Sequence, residues 1–137
     1  MQANTQIEHY VEQLSAGGVQ IEVIDTHAAR IVLDNLEFVL VVAEDEPAFF
    51  QLMLPSVWQA SASTDRAMLL ETANDVMNTI KAAKVVVHND AVHVSVEQFV
   101  EGPQQGVALI PGLMELLRST VAEFHERLGM GPAPRIH

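Results

Sequence analysis

Apolar residues recur along this chain with two different periods, and the switches between them mark its elements. Ile7, Tyr10, Val11 and Leu14 fall at helical spacing, which predicts a helix from Asn4 to Ala16, with Asn4 or Thr5 as cap and Gly17-Gly18 as its end. From Val19 the period drops to two: Val19, Ile21 and Val23 alternate with Gln20 and Glu22, as a half-buried strand requires. Beyond a turn at Asp25-Thr26-His27, strands are predicted from Ala29 to Leu33 and from Leu36 to Ala43, split by Asp34-Asn35, whose side chains tolerate left-handed backbone. Phe38 to Ala43 is apolar on both faces of the pleat. It predicts a central strand covered on both sides, or one whose second face meets a partner. Ala48 to Leu54 is the next strand, after the Glu44-Asp45-Glu46-Pro47 turn. Pro55 has no ladder donor, so Ser56 to Ala60, with the lone Trp58, is expected as an edge or exit segment.

The helical period returns from Thr64 to Ala83, with Thr64 as cap and Leu69, Ala73, Val76, Met77 and Ile80 as the buried stripe. Lys84 to His88 and Ala91 to Val100 form a hairpin through Asn89-Asp90. Val87 then faces Val92 and Val85 faces Val94, while Lys84, His88, His93, Ser95 and Glu97 share the wet side. Gly102 to Gly106 reads as a loop, and a last helix starts near Pro111 and runs to Leu128 on the stripe Leu113, Leu116, Leu117, Val121, Phe124 and Leu128. The expected fold class is α+β, an antiparallel sheet with helices in the order α-β-β-β-(β)-α-β-β-α. Residues 1–129 form one domain, and 130–137 are a flexible tail.

Composition narrows the function. With 137 residues, 49% hydrophobic and only 5% aromatic, the chain suits a single aliphatic core. It has no cysteine, which excludes disulfides, thiol catalysis and Cys-ligated zinc; no window resembles a membrane span or a signal core, so a cytoplasmic protein is expected. The net charge of -11 repels phosphate and anionic lipid, which argues against nucleic acid and membrane as partners; it serves solubility or attracts a basic protein.

Reactive constellations are weak. His88 and His93 share a strand face, but a zinc site there lacks a third ligand with diagnostic spacing beyond Glu97 or Asp90, and no cofactor is expected. Glu44-Asp45-Glu46 lacks the alternation and glycine of a calcium loop, and no serine sits in a nucleophile elbow to join Asp75 and a histidine. Asn74 and Asn78, four apart on the second helix, either bridge to backbone or line a polar groove. Met53, Met68, Met77 and Met114 fit an adaptable apolar groove or simple core filling.

The Asn-bearing stretch Ala73-Asn74-Asp75-Val76-Met77-Asn78, leading through Lys84-Val85-Val86-Val87 into Val92-His93-Val94-Ser95-Val96 and then the helix to Leu128, resembles the YbjN family, labelled bacterial sensory transduction regulators. That resemblance implies a fold like that of type III secretion chaperones, a dimer, and protein binding without catalysis. The expected function is accordingly a non-enzymatic interaction domain, chaperone-like or regulatory and homodimeric, with itself and a client protein as partners. Val39, Val41, Phe50, Leu52 and Trp58 are the candidate contact residues. A small-ligand-binding domain is the alternative, and a His-based metal-dependent hydrolase a more distant one.

Overall fold

The helix expected first forms as α1 (Thr5–Ala16), and its cap does more than start it. The Asn4 Oδ1 accepts from the Ile7 N–H at 2.9 Å, its Nδ2 donates to the Val42 carbonyl at 2.9 Å, and its main-chain N–H donates to the Thr26 carbonyl at 2.9 Å. One buried asparagine thus ties α1 to two points of the sheet, with its donors and acceptor satisfied. Gly18, at φ +89, ends the helix in a left-handed conformation that costs glycine nothing. The computed structural model describes residues 4–59, 66–89 and 91–130.

The alternating segments pair as β1 (Gln20–Asp25), β2 (Ala28–Leu33), β3 (Leu36–Val41), β4 (Phe49–Gln59), β5 (Lys84–His88) and β6 (Ala91–Phe99). They form one antiparallel sheet in the order β1-β2-β3-β4-β6-β5. Asp34 and Asn35 take φ of 50 and 66, the two left-handed residues of a tight hairpin, and pair Leu33 with Leu36. In the last hairpin Val87 faces Val92 and Val85 faces Val94, the register that the alternation predicted. Asp90, the second residue of its expected turn, lies outside the described residues.

β4 departs from expectation. It is one strand that passes through Pro55 instead of ending there. Leu54 faces Val94 and Trp58 faces Val92, so three β4 residues stand against one of β6. This bulge accommodates a residue without a donor and turns Ser56 to φ 53. Beyond it β4 keeps its β6 partners but has none in β3, whose pairing stops at Met53.

α2 (Arg66–Thr79) buries Leu69, Thr72, Ala73 and Val76, whereas Met77 is 39% exposed; the buried stripe is rotated toward Thr72, away from the expected Met77. The expected cap Thr64 lies outside the described residues. α3 (Pro103–Met130) corrects the expected loop at Gly102 to Gly106 and the expected start near Pro111. Pro103 takes the first helical position, where its missing donor costs nothing, and Pro111 lies exposed within the helix. Gly106 is a contact, not a breaker: a Cβ there would fall inside the phenol of Tyr10, so α1 and α3 approach this closely only over glycine.

The three helices pack on one side of the sheet, α1 over β1 and β2, α3 over β4 and β6, and α2 against β5 and α3. Between the layers lie Ile31, Phe38, Leu40, Phe50, Leu52, Val94, Ile110, Leu117 and Phe124, all fully buried. Their contacts with both layers make this the one continuous core expected of a domain this size.

Candidate protein-binding face

Strand alternation sends every second side chain away from the helices. The registers align those residues in rows across the sheet, and one row crosses all six strands: Glu22, Arg30, Val39, Met53, Ser95 and Lys84. Its middle holds Val39 and Met53, both partly exposed, beside the buried Ser95, and an ion pair closes each end. Arg30 meets Glu22 at 2.9 Å, and Lys84 meets Glu97 at 2.9 Å. Exposed pairs of this kind contribute about 0–1 kcal/mol, so they frame the strip more than they hold the sheet. The next row carries Ala28, Val41, Gln51 and Glu97. One row further, Phe49 and Phe99 pair with tilted rings at 5.2 Å between centroids, and Phe99 is 77% exposed. An apolar strip with a charged rim is the arrangement of a protein-binding surface.

The five contact residues read from the sequence divide between the two faces. Val39 and Val41 lie on this strip, half-buried. Phe50 and Leu52 are completely buried on the helix side, because β4 puts Gln51 and Met53, not its aromatic and leucine, opposite Val41 and Val39. Met53 joins the strip in their place. Trp58 is half-buried beyond the bulge, its ring 5.9 Å from that of His125. Asn74 and Asn78 are exposed on α2.

Two histidines pin the bulge in β4 from opposite sides. His93 Nδ1 accepts from the Ser56 N–H at 3.0 Å, and His125 Nε2 donates to the Val57 carbonyl at 2.7 Å. His125 is exposed on α3, and only the fold of β4 reveals its partner. Where β3 and β4 part, a cleft of about 750 Å³ opens, lined by Leu36, Glu37, Leu54, Ser56, Val57 and His125 among others. It is an open notch, and its lining does not include Asn74 or Asn78.

Among the described residues no three His, Asp or Glu side chains are grouped to hold a metal. Burial pushes the Tyr10 phenol up to about 12, yet its hydroxyl lies in the core against Gly106, away from any cleft. Among the described residues no helix is long and apolar enough to cross a membrane.

No family model and no curated protein matches the chain. Its fold is nevertheless shared by solved structures. An uncharacterized protein from Methanothermobacter thermautotrophicus superposes with a TM-score of 0.56 at 12% identity, over 88% of this chain and 95% of that one. A chain of the HopA1-SchA chaperone-effector complex superposes with a TM-score of 0.52 at 17% identity, over 86% of this chain and 91% of its own. The fold is therefore α+β and is shared with a chain of that chaperone-effector complex.

Proposed function

We propose that this chain is a non-enzymatic protein-interaction domain, chaperone-like or regulatory, that acts as a homodimer, and that it is related to the YbjN family. The observation that carries the reading is the strip of Val39, Val41 and Met53 on the sheet face left free by the helices, closed at both ends by ion pairs. A likeness in fold to a chain of a chaperone-effector complex supports it.

Sedimentation velocity at micromolar concentration, with material purified from the native cell, tests the proposal. The expected result is a dimer mass, or a larger complex retaining a second protein. A strict monomer with nothing bound would overturn it.

A further inference from the structure

β3 begins at Leu36, but its pairing with β4 begins only at Val39. In the two-residue hairpin Leu33 and Leu36 are the closing pair, so Leu36 and Phe38 turn their N–H and C=O groups toward β2, and Glu37 turns its own the other way. On that side β4 has already bulged off. Its Pro55 has no donor, the Ser56 N–H is bound by His93 at 3.0 Å, and the Val57 carbonyl is bound by His125 at 2.7 Å. Glu37 lies at the mouth of the cleft, outside the β3–β4 register and opposite a proline that cannot donate to its carbonyl, between the aliphatic walls of Leu36, Leu54, Val57 and Val121.

The charge at this mouth is one-sided. The exposed Glu37 carboxylate has no ion-pair partner among the described residues. Close to the hairpin, Arg118 is shared between Asp34 at 3.0 Å and Glu115 at 3.1 Å, which leaves an acidic excess in a chain of net charge -11. Val32 and Glu37 belong to the free face of the sheet, whereas Leu36, Leu54, Val121 and His125 belong to the helix side, so the cleft opens through the gap between β3 and β4.

The geometry points to this cleft as the docking point of an extended, basic and apolar segment of a partner protein. The segment bridges to the Glu37 main chain as a strand, sets a lysine or arginine against the Glu37 carboxylate, and places an aliphatic side chain against Leu54 and Val121. This rests on the protein-binding reading above and locates it. Main-chain pairing supplies register, and the carboxylate selects sign.

The test is a nitrogen-15 NMR titration of the full chain with a synthetic peptide of alternating Val and Lys, and with its Val and Glu counterpart. The Lys peptide is expected to shift the amides of Glu37, Val57 and His125, with affinity falling as salt rises, and the Glu peptide to leave them in place. Glu37→Lys is expected to weaken binding at least tenfold and Glu37→Gln less, with the rest of the spectrum unchanged. Shifts confined to Val39, Val41 and Met53, equal binding of both peptides, or no shift at all would overturn the cleft assignment. Shifts at Glu37 that grow with protein concentration in the absence of peptide would mean a second copy fills the cleft, and would overturn it too. Apart from that last result, which is itself self-association, none of these outcomes bears on the dimer and retained-partner measurement, which judges the broader reading by itself.

Discussion

Tyr10 shows how much one side chain can report. It is fully buried, its hydroxyl has no hydrogen-bond partner among the described residues, and its ring meets Phe50 edge-on at 5.9 Å. Loss of hydration raises its folded pKa from 10.0 to about 12. The unfolded chain therefore releases this proton first, so the associated stability is whole below pH 10 and is lost between pH 10 and pH 12. The loss amounts to about 3 kcal/mol. Because the chain has one tyrosine, phenolate absorbance follows this group alone. The folded protein should resist ionisation at pH 10 to 11, whereas Tyr10→Phe should abolish the alkaline loss and change neutral stability by no more than about 1 kcal/mol, since an unpartnered hydroxyl is removed. An ordinary titration in the folded state would contradict this placement. At this scale the Asn4 cap was legible from residue type and position. Gly106 was not, because its role depends on a tyrosine far away in sequence, and a glycine seen locally reads as a break.

Hairpins were the most legible elements, because a two-residue turn fixes register and alternation fixes the face. The Asp34-Asn35 and β5–β6 registers follow from these two rules. Prolines misled twice, and for one reason. A missing donor was read as an end, while β4 absorbs Pro55 in a bulge and α3 carries Pro111 on its exposed side. If α3 is continuous there, Pro111→Ala should raise stability by about 1–3 kcal/mol, since an interior proline forfeits one backbone bond and alanine restores it. The denaturation midpoint of the variant measures this. No change would place Pro111 at a helix start, where alanine gains nothing.

Across the whole molecule, the layered architecture followed from the order of periods, but the binding face followed only in part. The sequence shows that β3 is apolar on both faces and that β4 carries Phe50 and Leu52; it does not show which parity of β4 lies opposite Val39. That is a register decided by long-range pairing, and it exchanges Phe50 and Leu52 for Met53 on the free face. The cleft was illegible for the same reason, since it exists only where β4 leaves β3. The central claim is that the free face, and not the outer side of α2, holds a partner chain. Its most direct measurement is photo-crosslinking in the native cell, from an activatable residue placed in turn at positions 39, 53, 74 and 78. The account predicts a discrete adduct from 39 and 53, lost when Val41→Asp is added, and none from 74 and 78. Adducts from 74 and 78 alone, or from no position, would contradict it.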